Sequence, residues 1–115
     1  MLSKEAQEVI DIINEVKQSP NINKYLEEYE GEKYLPMDNI LNGHVENVDE
    51  EFIKLMDKLS LVLNGNLITN QGQHSSVFYE LKRAGYNFRT GEKDSFGPLT
   101  SVYYDRDQDW TVCYG

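Results

Sequence analysis

The sequence predicts an α+β fold, and three observations predict it. Apolar residues recur at helical spacing through residues 2–16 and again through residues 52–63. From residue 85 onward that period gives way to short runs rich in Tyr, Phe, Val and Thr, bounded by glycines and acidic turns. The two patterns are segregated, with a helical half over 1–64 and a mixed half over 65–115, which is the α+β arrangement. At 115 residues and 13.3 kDa the chain fits one domain, 1–115. A domain of this size buries roughly two-thirds of its unfolded surface, enough for a core without staples. The expected architecture is three main N-terminal helices plus one short helix, packed on a small, mainly antiparallel sheet that ends in a C-terminal β-hairpin.

Each element has a local cause. Ser3 is placed to cap a first helix, whose stripe is Leu2, Ala6, Val9, Ile10, Ile13 and Val16, with Glu5, Glu8, Asp11 and Glu15 on the other face. That helix should run to about Gln18 and stop before Pro20. Asn21 can cap a second helix with the stripe Ile22, Tyr25, Leu26 and Tyr29, and Gly31 suits its left-handed end. Residues 32–47 form a connector, and sixteen structureless residues would be long for a compact domain, so a single turn is expected near Asp38–Leu41. The strongest helix starts at an Asp49 cap and carries Phe52, Leu55, Met56, Leu59, Val62 and Leu63, widened by Leu61. Asn64-Gly65 should end it.

Leu67-Ile68-Thr69 reads as a short strand and Asn70-Gln71-Gly72 as a turn. Ser75 or Ser76 then caps a helix with Val77, Phe78, Leu81 and Ala84 inward, ended by Gly85. Tyr86–Arg89 reads as a strand, followed by the Thr90-Gly91 turn and a polar loop. The C-terminal hairpin is expected from strands at Leu99–Tyr104 and Trp110–Tyr114.

Composition narrows the function classes. The net charge is −9, and residues 1–58 hold 14 acids against 6 bases. Such a surface repels nucleic acid and anionic membrane and attracts a basic partner. No run approaches the ~20 apolar residues of a membrane span, and acids stand where a secretory signal would be apolar, so a cytoplasmic location is expected. The one cysteine, Cys113, lies in a strand-type run with no histidine near it in sequence, and reads as a small buried hydrophobe.

Several constellations carry residue types suited to chemistry. Asp105, Asp107 and Asp109 alternate like the start of a calcium loop, but the sixth position is Trp110 where such a loop needs Gly. A solvated hairpin tip accounts for them better. His44 and His74 lack paired spacing, so neither a metal nor another cofactor is expected. The loop Gly91–Gly97 holds Glu92, Asp94 and Ser95 near Arg89, a set that would serve acid–base chemistry if it closed on a cleft. It lacks the phosphate-loop pattern, and a tight turn anchored by Phe96 is the simpler reading. Lys82, Arg83, Arg89 and Lys93 form a small basic patch. The order helix–strand–helix–strand–strand is compatible with a winged helix, but the acidic pI of about 4.6 opposes DNA binding.

The leading expectation is therefore a non-enzymatic interaction protein that binds a basic protein partner and inhibits or regulates it. Inhibitors of the immunity or anti-defence type share this size and charge, an analogy of physical profile alone. The residues expected to bind are Glu27, Glu28, Glu30 and Glu32 on the second helix and its exit, with Asp49, Glu50 and Glu51 at the start of the third. The alternatives are a small-ligand or enzymatic domain centred on Glu92–Ser95, and a winged-helix-like transcriptional regulator.

Overall fold

The first helix, α1, spans Lys4–Lys17 and buries Ala6, Val9, Ile10, Ile12, Ile13 and Val16. In the computed structural model, residues 1–29, 31–67, 69, 74–90, 101–105 and 110–114 are described. Ser3 caps α1 by accepting the Ala6 N–H at 3.2 Å. The same cap is held from outside. Its backbone N–H and hydroxyl donate to the two Glu80 carboxylate oxygens at 2.8 and 2.7 Å. Those bonds favour the ionised carboxylate and hold Glu80 below its ordinary pKa. A depressed folded-state value means that the contribution is present above pH 4.5 and is lost as pH falls through the lower folded value. Ser3→Ala is expected to cost about 0.5–2 kcal/mol at pH 7 through the lost cap. Urea denaturation in neutral and acidic buffer checks this, and the gap from the parent protein should narrow in acid.

The chain departs from expectation after Pro20. The helix α2 covers only Ile22–Tyr25, and Leu26 turns extended with ψ 138°. Where a longer helix was expected, two strands follow, β1 (Glu27–Tyr29) and β2 (Glu32–Tyr34), paired antiparallel. Gly31, with φ +84°, sits in the connection between these strands and does not terminate a helix. The physical reason lies far along the chain. β2 pairs in parallel with β5 (Trp110–Tyr114) in the register Lys33 with Trp110 and Tyr34 with Thr111. The Leu35 N–H extends that pairing to the Thr111 carbonyl at 2.8 Å. Backbone pairing to a distant strand overrides a weak local helical stripe.

After a short helix α3 (Met37–Leu41), the long helix α4 runs over Glu50–Leu67. It does not end at Asn64-Gly65. Leu63 and Leu67 continue the buried stripe of Phe52, Met56 and Leu59, and the apolar burial outweighs one helical glycine. The strand expected at 67–69 is thus replaced at Leu67 by helix, and Ile68 lies outside the described residues. Leu61, expected to widen the stripe, is 67% exposed. The helix α5 (Ser76–Arg83) follows, capped by the Ser75 hydroxyl on the Phe78 N–H. Ser75 also closes the end of α4. Its N–H donates to the Leu67 carbonyl at 2.9 Å and its hydroxyl to the Asn66 carbonyl at 2.5 Å. Gly85, at φ +95°, ends α5.

The strands β3 (Phe88–Thr90) and β4 (Ser101–Asp105) complete a sheet of order β1-β2-β5-β4-β3. The β3–β4 and β4–β5 pairings are antiparallel, with Val102 opposite Cys113 and Tyr104 opposite Thr111. The protein is a mixture of helix and strand, broadly α+β. The core joins the inward faces of α1, α4 and α5 to Leu35, Trp110 and Val112. No helix among the described residues is long and apolar enough to cross a membrane.

Candidate partner-binding surface

The sequence nominates two acidic clusters, and the structure places the first of them on strands where a helix was expected, while the second stays at the head of the long helix. Glu27 and Glu28 stand in β1, an edge strand, and Glu32 in β2 opposite Tyr29. Glu30 lies outside the described residues. They are therefore not one face of a helix. Glu28 is exposed and pairs across the strands with Lys33, an opposite-charge neighbour. Glu27 is half-buried and accepts the Tyr34 hydroxyl at 2.5 Å. That bond holds the phenol proton, so the Tyr34 pKa is raised above its ordinary value. Charges on an edge strand also discourage pairing with another chain.

The second cluster sits at the start of α4. Glu50 and Glu51 are exposed in its first turn, where carboxylates favour the positive end of the helix dipole. The Asp49 carbonyl accepts the Ile53 N–H at 3.0 Å, the first bond of the helix. Asn21, expected to cap α2, makes no cap bond. Its amide donates to the Asp49 carboxylate instead, at 3.0 Å. Tyr25 adds a second tie, because its hydroxyl accepts the Asp49 N–H at 3.1 Å. Its ring packs on Phe52 with centroids 4.6 Å apart. So α2 is fastened to the head of α4, and β1 leaves directly from that fastening.

A further acidic surface was visible only as the far side of an amphipathic helix. The carboxylates of Glu8, Asp11 and Glu15 are exposed along α1 and line a groove of about 400 Å³ at the seam with α4. Lys4, Gln7, Ile12, Lys58 and Val62 complete its lining, and Ile12 is itself only 2% exposed. A second groove of about 340 Å³ continues from Glu15 to Glu51, over Phe52 and Leu55. Glu15 borders both grooves. Lys58 and Val62 border the first groove with residues of 4–15, and Glu51 and Leu55 border the second with residues of 15–21, so α1 and α4 run antiparallel. Lys58 donates to Glu15 at 3.0 Å, an exposed pair worth little on its own. The signal that marked these acids was their period, but period alone cannot say that a second helix lies alongside to make a groove.

The remaining candidates divide. Arg89 occupies β3, opposite Val102, while Glu92, Asp94 and Ser95 lie outside the described residues. Lys82 and Arg83 are exposed in the last turn of α5. His74 stacks on Phe78 with ring centroids 4.0 Å apart, and Tyr79 meets both rings edge-on. Partial burial, and then the nearby Lys82 charge, hold the His74 imidazole below its ordinary pKa. The winged-helix order would need a strand starting at Leu67, which is helical here. Among the described residues no group of three His, Cys, Asp or Glu is placed to hold a metal ion. No family model matches the chain, and no curated protein or solved structure is similar to it beyond chance.

Proposed function

We propose that this protein is a small, non-enzymatic interaction module that binds a basic protein partner and inhibits or regulates it. The observation that carries the reading is the spread of exposed carboxylates across α1 and the head of α4. Glu8, Asp11 and Glu15 continue through Glu51 to Asp49 and Glu50, within a chain of net charge −9. Glu28 on the β1 edge adds to the same sign of field. Such a field steers a basic partner and raises its association rate by ~10–10³-fold at low salt.

The test begins with the partner retained by the immobilised protein at low ionic strength. Its association rate is then measured by surface plasmon resonance against salt. A steep fall is expected as the screening length shortens. Replacing Glu50 and Glu51 by Gln, together with Glu28, should slow association without unfolding the domain, since exposed charges contribute little to stability. A partner that associates at the same rate in all salts, and equally with the triple variant, would show that these carboxylates serve only as solvated surface.

A further inference from the structure

We infer that Asn42 is a chemical modification site, converted to aspartyl and isoaspartyl forms through attack by the backbone nitrogen of Gly43. The chain holds the Asn-Gly step twice, at Asn42-Gly43 and at Asn64-Gly65. Asparagine is thermolabile, and a following glycine has no Cβ to shield the attacking nitrogen. Local sequence therefore suits both steps to the reaction, and the fold decides between them.

The step needs water and no oxidant or cofactor. The Gly43 nitrogen bonds to Asn42 Cγ and the Cγ–Nδ2 bond breaks. The proton from the Gly43 N–H leaves with the amide group as ammonia. Water then opens the cyclic imide at either carbonyl carbon. Opening at Cγ leaves aspartate. Opening at the Asn42 main-chain carbonyl leaves isoaspartate, with the backbone routed through the side chain.

The geometry at Asn42 permits this. Asn42 follows the last residue of α3, a helix of only 5 residues. Asn42, Gly43 and His44 are all exposed. Among the described residues no hydrogen bond holds the Asn42 side chain, so its Cγ can swing toward the Gly43 nitrogen. Gly43 has φ +76°, and a Cβ built on it would meet nothing within 4 Å, so the turn is open to water here. Ring closure rotates the Asn42 ψ away from 2°. It releases the Gly43 N–H from the Ile40 carbonyl, at 3.2 Å, and the His44 N–H from the Asn39 carbonyl, at 2.8 Å. Both are backbone bonds at a solvent-exposed helix end, the part of a fold that opens at lowest cost.

Asn64-Gly65 is held against the same reaction, although Asn64 is exposed too. Gly65 lies within α4, where backbone N–H groups are bound by carbonyls four residues back. Asn64 Nδ2 donates to Ser60 Oγ at 3.3 Å, one turn back along the helix, which draws the amide away from the Gly65 nitrogen. Freeing that nitrogen means unwinding the end of α4. There Leu67 is fully buried, and Ser75 bonds the Leu67 and Asn66 carbonyls at 2.9 and 2.5 Å. Modification at Asn42 also has a local consequence. It sets an anion at the C-terminal end of α3, against the helix dipole and one turn from Asp38.

The full chain is incubated folded in mildly alkaline buffer and, in parallel, unfolded in urea. Trypsin then releases residues 34–54 and 59–82, so each Asn-Gly step falls in its own peptide. Fragmentation mass spectrometry reads the amide-to-carboxyl mass gain at each asparagine, and chromatography separates the isoaspartyl peptide. In the folded chain, conversion at Asn42 is expected to outrun that at Asn64 by about tenfold or more, because the cost of opening separates the two steps. In urea the two should convert at similar rates. Asn42→Gln should remove isoaspartate from the first peptide, and its persistence there would place the site elsewhere. Equal rates at Asn42 and Asn64 in the folded chain would overturn the assignment. So would an unreacted Asn42 in the folded chain once the chain in urea has converted at both.

Discussion

Leu59→Ala is expected to destabilise the protein by about 2–5 kcal/mol, because it removes buried methyl groups from a site that cannot collapse freely. Leu59 is 1% exposed at the middle of α4. Met56 and Leu63, one turn to either side on the same face, are fully buried. α4 packs against α1 on one side and against α3, α5 and β5 on others, so a cavity opened at Leu59 is bounded by elements fixed through separate contacts. For a small domain, a loss of this size moves the urea midpoint by about 1 M or more. Leu61→Ala is the internal control. At 67% exposure it should change stability by no more than about 0.5 kcal/mol. An unaltered midpoint for Leu59→Ala, or equal losses at both positions, would mean that the helix is rotated from the orientation described.

Trp110→Ala is expected to cost about 3–5 kcal/mol. Trp110 is the one tryptophan of the chain and is 1% exposed. It stands in β5 at the register positions of Lys33 on β2 and Asp105 on β4, so it occupies the middle strand of the sheet order. With Val112, two residues on and also buried, it forms the β5 contribution to the core. Removing the indole therefore weakens both the core and the strand that β2 pairs with. Trp110→Phe should recover part of the loss by refilling some of the volume. The same residue offers the readout for other variants. Its fluorescence should be blue-shifted in the native state and move to longer wavelength on denaturation. Native emission already at the wavelength of the unfolded chain would contradict its burial.

How the acidic residues are used is a matter of geometry more than of count. Glu27 and Glu28 are neighbours in sequence, yet one is half-buried against Tyr34 and the other faces solvent opposite Lys33. Alternation along a strand separates adjacent side chains to opposite faces, whereas a helix would have spread them around one surface. Conversely, Glu15 and Glu51 are far apart in sequence and border one groove, since antiparallel packing of α1 and α4 brings them together.

Short-range order alone determined the parts of this protein in which one segment supplies both the pattern and the stop signal. The stripe from Ala6 to Val16, with Ser3 in front of it, specifies α1. The stripe from Phe52 to Leu63 specifies most of α4, and Ser75 and Gly85 bracket α5. Helical hydrogen bonds close within a few residues, so capping groups and apolar period are enough to foresee them. Only the tertiary structure decided β1, β2, the last turn of α4 and the seam grooves. β1 and β2 draw on a partner strand, β5, that lies 77 residues beyond Lys33 at Trp110, and no local period records that pairing. Asn21 gave up its expected cap for Asp49, a group brought near by the fold. Strand pairing, groove formation and side-chain ties of this kind depend on which distant segments meet, and that is settled by the burial of the whole core and not by any one stretch of it.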